Sequence, residues 1–264
     1  MIQTIRPASL LQPRAVLFDF DGTLSLIRSG WMDVMIPMMV EILADLRTGE
    51  SEADLTLTVE EFVWRLTGKD TIYQMIALAE EVQKRGGTAL DPVAYKGRFL
   101  DLQTHVIADR EDDVRERRCP TDRYLVPGAR ALLDDLRARG LTMYLTGGTD
   151  ESSVRAEADL LEVSRYFNGG IYGTTDDPEL FTKRMLVQRI VTPIEGPQLL
   201  GFGDGFVEIE EVKLAGGVAV GVATDEPACR FVDDWKQDRL IGAGADYIIP
   251  NYLCREELLQ ALFP

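Results

Sequence analysis

Hydrophobic and polar positions follow two rhythms along this chain. Short, mostly apolar runs occur at residues 15–18, 141–145, 199–202, 218–222 and 247–249. Such runs, apolar on both faces rather than alternating, are the pattern of buried parallel strands. Between the later runs lie helical patterns at 129–139, from Thr149 or Asp150 through Leu161, from Asp177-Pro178 through Val191, and at 208–214. Strand alternating with helix predicts a parallel sheet with helices on both faces, an α/β fold. From about residue 31 to 118 the rhythm is helix after helix. Met32, Met35, Ile36, Met39, Ile42, Leu43 and Leu46 recur at helical spacing, as a packing stripe does. Thr58 with Glu61 reads as a capping box. Asp70 reads as the cap of a helix ending near Gly86-Gly87, and Asp91-Pro92 as the start of the next. The chain is therefore expected to fold as an α/β core, residues 1–27 and 124–264, with an inserted α-helical subdomain at 28–123.

Composition narrows the class. Hydrophobic residues make up 45% of the 264, enough for a sizeable core. The net charge of −16 argues against nucleic acid or an anionic membrane surface as partner. A site for an anionic substrate would need its own local positive charge. Cys119, Cys229 and Cys254 lack metal-ligand spacing and read as free thiols of a reducing compartment. Arg6, Pro7, Pro13 and Arg14 interrupt any secretory pattern, and no apolar run is long enough to span a bilayer, so the expected location is cytoplasmic. The sequence sets no oligomeric state.

The chemistry begins where the first run ends, at Asp19-Phe20-Asp21-Gly22-Thr23. Ligands of open α/β sheets bind at the carboxyl ends of the strands. Residues two apart on an extended strand point the same way. Two unit charges about 4 Å apart repel by roughly 4 kcal/mol at an effective dielectric of 20, so a cation, proton or lysine must offset the pair. Thr146-Gly147-Gly148-Thr149 offers a hydroxyl and backbone N–H groups at another strand end, suited to an anionic oxygen. Gly203-Asp204-Gly205 ends a third strand, with Glu208 one helical turn on. Carboxylates converging from these ends make an oxygen-rich site for Mg²⁺. Lys183 lies between them, in the first half of a helix.

In this order the motifs resemble those of the haloacid dehalogenase superfamily. Asp19-Phe20-Asp21-Gly22-Thr23 is similar to its first motif, Thr146-Gly147-Gly148 to the second, Lys183 to the third, and Gly203-Asp204-Gly205 with Glu208 to the fourth. The inserted helical block sits where members of phosphoglycolate phosphatase and β-phosphoglucomutase type carry an α-helical cap. The resemblance implies a Rossmann-like core and phosphoryl transfer with Mg²⁺ as cofactor. It makes Asp19 the nucleophile and Asp21 the general acid and base. Asp19, Asp204 and the Asp21 carbonyl would hold the metal, and Thr146 and the Gly147 N–H would bind phosphoryl oxygens. Lys183 would balance the carboxylates. Glu208 departs from the aspartate of many members, yet it can still reach the metal or its water. Lys69, in the cap, is a candidate specificity residue, the alternative being an exposed lysine at a helix start. Arg28 could contact substrate or make a salt bridge where the chain enters the cap. His105 reads as a surface or packed histidine.

The expected activity is hydrolysis of a phosphomonoester on a small metabolite, such as a sugar phosphate or a phosphoglycolate-like acid. A phosphomutase is the first alternative, and a non-catalytic binding or regulatory module the second. Dehalogenation is disfavoured, because by the same resemblance dehalogenases lack an acid at the position of Asp21.

Overall fold

In the computed structural model, the structure describes residues 2–8, 13–67, 69–174, 183–194 and 198–263. The chain divides into two compact units, Met1–Ser29 with Arg110–Pro264, and Gly30–Asp109.

The first unit is built on a mixed sheet of seven strands: β1 (Gln3–Thr4), β2 (Ala15–Asp19), β3 (Thr142–Asp150), β4 (Gly170–Thr174), β5 (Leu199–Gly203), β6 (Val218–Val222) and β7 (Tyr247–Ile249). Their order is β1-β7-β6-β5-β2-β3-β4. Only β1, against β7, runs antiparallel among these pairings. All five residues of β2 are buried, as are those of β5 and β6, which is why these strands read as unbroken apolar runs. Phe18 of β2 stacks on Phe202 of β5 with ring centroids 4.7 Å apart, and Phe202 meets Tyr252 edge-on. The helices of this unit are α5 (Ala129–Ala138), α6 (Glu151–Leu160), α7 (Lys183–Val191), α8 (Phe206–Leu214), α9 (Asp234–Gly242) and α10 (Arg255–Leu262). Asp177 and Pro178, expected to open α7, lie outside the described residues.

The second unit holds α1 (Met32–Ala44), α2 (Glu52–Leu66), α3 (Thr71–Lys84) and most of α4 (Pro92–Arg115). The methionine stripe is core: Met35, Met39 and Leu43 are buried with Leu55, Val59, Met75, Leu78 and Phe99. Asp91 caps α4, its Oδ1 accepting the Val93 N–H at 2.8 Å. The box expected at Thr58 does not form. Ser51 caps α2 by accepting the Asp54 N–H, and Thr58 lies mid-helix, its hydroxyl donating to the Asp54 carbonyl. A serine ahead of the run competes better for the orphan N–H groups than a threonine inside it. Among the described residues no helix is long and apolar enough to cross a membrane.

Candidate active site

Parallel pairing puts the carboxyl ends of β3, β2 and β5 along one edge of the sheet. Asp19, last residue of β2, is in register with Thr146 of β3, and Phe18 with Phe202 of β5. Asp19 is buried, at 3% exposure. The strand stops there, so Asp21 is not on it. A turn places Asp21 instead: Gly22 adopts φ +73°, its N–H donates to the Ser25 carbonyl at 2.9 Å, and Leu24 and Ser25 donate back to the Phe20 carbonyl. The alternation argument for the two aspartates therefore does not apply. Their relation is set by a glycine turn.

Asp204 follows β5 and is tied to the same turn. Its N–H donates to the Thr23 hydroxyl at 2.9 Å, and the Thr23 carbonyl accepts the Tyr252 hydroxyl, also at 2.9 Å. A Cβ on Gly22 would stand 2.3 Å from Asp204 Oδ2 and 2.9 Å from Glu226 Oε1. Asp204 and Glu226 thus close on the turn from the ends of neighbouring strands. Lys236, in the first turn of α9, spans them: its Nζ lies 3.1 Å from Asp204 Oδ2 and 2.6 Å from Glu226 Oε1. Asp233 caps that turn by accepting the Lys236 N–H at 2.9 Å. Burial works against the Lys236 ammonium, but Asp204 and Glu226 hold it charged, above the usual lysine range. Burial pushes the Glu226 carboxyl up, with Lys236 pulling it down and the charges of Asp204 and Asp21 adding to the rise.

Arg28 sits beside Asp21, its Nε 4.0 Å from Asp21 Oδ1, and donates through Nε and Nη2 to Glu157 of α6. Burial, followed by the charge of Asp21, pushes the Glu157 carboxyl up to about 7 against the pull of Arg28. The salt bridge expected for Arg28 as one of its two readings is present, to Glu157 and Asp21.

Thr146 is fully buried and its hydroxyl donates to the Phe18 carbonyl at 3.2 Å, so binding a phosphoryl oxygen requires that proton to turn. The strand expected to end at Leu145 runs on to Asp150, with a register shift between Thr146 and Asp150. That irregularity lies at the glycines. Gly147 is where α6 packs on β3: a Cβ there would meet Val154 Cγ2 at 2.4 Å. Asp150 caps α6 through the Ser153 N–H. Lys183 opens α7, and its side chain is outside the described atoms. Glu208 is wholly buried in the first turn of α8, where a carboxylate complements the helix dipole. Lys69 is exposed in the helical unit, its Nζ 5.6 Å from the Tyr73 ring centroid, while Asp70 beside it is buried. His105 is exposed.

Sequence reasoning missed Glu226, Lys236 and Glu157. Glu226 carries a weaker form of the mark of Asp19 and Asp204, a carboxylate in the loop that follows a buried strand, here β6. Lys236 and Glu157 lie within helices and had no local signal.

The donor set suits a hard cation. Asp19 and Asp204 both act on buried Tyr252, whose phenol is raised well above its ordinary range by burial and then by their charges. The cations facing Asp21 and Asp204 are each held by two carboxylates, Arg28 by Glu157 and Asp21, Lys236 by Glu226 and Asp204. Oxygen donors with excess negative charge fit Mg²⁺. Among the described residues no three His, Cys, Asp or Glu side chains group to hold a metal alone. The expected set needs only two side chains and one carbonyl.

Motif residues gathered at adjoining carboxyl ends of a mostly parallel sheet define a class of α/β folds with a ligand site at that edge, and comparison with known proteins bears on it. The sequence profile of haloacid dehalogenase-like hydrolases matches residues 13–216, so the chain belongs to that family. No curated protein matches it by sequence. Among solved structures it is similar to a predicted phosphoglycolate phosphatase from Haemophilus somnus, at 15% identity over 94% of this chain and 99% of that one, with TM-score 0.60. A β-phosphoglucomutase from Clostridium difficile matches at 15% identity over 95% and 97%, TM-score 0.58. A HAD-hydrolase from Bacillus subtilis, described as bound to magnesium, matches at 15% over 95% and 99%, TM-score 0.53. At these identities the likeness is one of fold.

Proposed function

We propose that the chain is a Mg²⁺-dependent phosphomonoester hydrolase acting on a small phosphorylated metabolite through an aspartyl-phosphate on Asp19. The observation that carries the reading is Asp19 at the end of β2, between Thr146 on β3 and the Asp204 that follows β5, with Asp21 on the adjoining turn. The Asp19 carboxylate attacks phosphorus, and Asp21 gives its proton to the leaving oxygen. Asp21 then takes a proton from water as the water oxygen attacks phosphorus, which breaks the bond from phosphorus to Asp19 and releases phosphate. The Gly147 N–H, and Thr146 after its hydroxyl turns, bind phosphoryl oxygens, and Lys183 answers their charge. Asp19, Asp204 and the Asp21 carbonyl would hold Mg²⁺. When bound, the ion supplies positive charge that lets an anionic nucleophile meet an anionic substrate.

The purified protein is expected to release phosphate from an aryl phosphate with Mg²⁺ and to lose that activity on chelation. Full turnover after exhaustive chelation would refute the metal's role. The likeness to a β-phosphoglucomutase keeps one rival in view, and product analysis separates them, free phosphate against an isomer.

Specificity is assigned to the helical unit, with Lys69 as its positive charge. Lys69→Ala should lower kcat/KM for the natural substrate roughly 10- to 100-fold, about 1.4 to 2.7 kcal/mol, and affect a small generic ester much less. Equal losses on both esters, or none, would make Lys69 an ordinary surface lysine.

A further inference from the structure

We infer that Arg28 and Glu157 form a positioning pair for the Asp21 carboxylate. The inference rests on the hydrolase reading and deepens it by assigning two residues that the four motifs leave out. The backbone presenting Arg28 is clamped. Arg110 Nη1 donates to the Ile27 and Ser29 carbonyls, each at 2.8 Å, and the Leu26 N–H donates to the Tyr124 carbonyl at 2.9 Å. Ser25 bridges to Asp21 on one side and to Leu125 on the other. The guanidinium is then fixed along one edge, Nε to Glu157 Oε1 at 2.6 Å, with Nη2 reaching the same oxygen.

Burial separates this pair from an ordinary surface bridge. The Arg28 side chain is 13% exposed and that of Glu157 4%, whereas Asp21 keeps 30%. A guanidinium presents its donors in a rigid plane, so the bond to Glu157 fixes the place of Nε, the nitrogen that also faces Asp21. At 4.0 Å the charge on Nε attracts Asp21 Oδ1 without a short hydrogen bond between the two atoms. The half-open carboxylate is thus biased towards one orientation while its proton transfers remain possible. Glu157 balances the buried guanidinium, which would otherwise be a costly lone cation. Positioning of this kind matters because a misplacement of about 1 Å can cost roughly 10²-fold in rate.

The test is steady-state kinetics of wild type, Arg28→Met, Arg28→Lys and Glu157→Gln on aryl phosphates of graded leaving-group ability, at saturating Mg²⁺, with thermal unfolding of each protein alongside. Asp21 acts on the leaving oxygen, so its misplacement should be felt most by poor leaving groups. In Arg28→Met and Glu157→Gln, kcat for the poorest leaving group should fall roughly 10- to 100-fold. The loss for the best leaving group should be much smaller and KM should hardly move. Arg28→Lys should recover part of the loss, since it keeps the charge but not the planar fork. Equal losses across the series in folded variants would make the pair structural. A rise in KM with kcat unchanged would make Arg28 a substrate contact. Either result overturns the inference while leaving the hydrolase reading intact. A wild type that hydrolyses none of the esters overturns that reading and the inference with it. If Arg28→Met does not fold, Arg28→Lys and Glu157→Gln decide by the same criteria.

Discussion

Asp19→Asn should abolish phosphate release, a loss on the order of 10⁴-fold or more, comparable to removing a nucleophile elsewhere. An amide has no anionic oxygen to attack phosphorus, so no phosphoryl-enzyme should accumulate. The fold should survive. Asp19 is buried at the strand end, and an amide of the same shape fills its place without changing the packing. Thermal unfolding of the metal-free variant should therefore show one cooperative transition, as for wild type. Asp21→Asn should behave differently: the first step should persist for good leaving groups and slow steeply for poor ones, and the phosphoryl-enzyme should be longer lived because water attack lacks its base. Rapid quench with a radiolabelled ester reads both variants. A phosphoryl-enzyme trapped on Asp19→Asn would place the nucleophile elsewhere.

Much of the core was legible because buried parallel strands leave an unmistakable trace. β5, β6 and β7 are apolar throughout and β2 is so up to its closing Asp19, and the carboxylates that end β2 and follow β5 have no packing reason to be there. β4 was missed because its residues, Gly170-Ile171-Tyr172-Gly173-Thr174, include two glycines and lie beyond β3 near the sheet's edge. A Cβ on Gly173 would meet the Asp150–Glu151 backbone at 2.3 Å, so a tertiary approach rather than strand propensity selects glycine there. α9 was missed because its burial falls on Leu240 alone, too little for a helical stripe. The consequence reached the site, since Lys236 is carried on α9. The salt bridges of Arg28 and Lys236 both join residues far apart in sequence, Arg28 to Glu157 on α6 and Lys236 to Asp204 after β5. Only the sheet order brings them together.

Gly22→Ala should be the most damaging single methyl in the site. Gly22 is at φ +73°, and a left-handed conformation costs a non-glycine residue about 1–2 kcal/mol. The added Cβ would lie 2.3 Å from Asp204 Oδ2, 2.8 Å from its Cγ and 2.9 Å from Glu226 Oε1. These neighbours cannot swing away freely. Asp204 is held through its N–H by Thr23 and through Oδ2 by Lys236, and Lys236 in turn holds Glu226. Overpacking of this kind typically costs about 1–3 kcal/mol, so the two effects together predict roughly 2–5 kcal/mol. Denaturant unfolding should show the midpoint falling with the slope unchanged. Activity should fall further than stability alone accounts for, because pushing Asp204 aside also moves a proposed Mg²⁺ ligand and the Asp21 carbonyl next to it. Calorimetric titration of the folded variant should show weaker Mg²⁺ binding than wild type. A variant as stable as wild type that binds Mg²⁺ equally well would mean that Asp204 and Glu226 do not close on this turn.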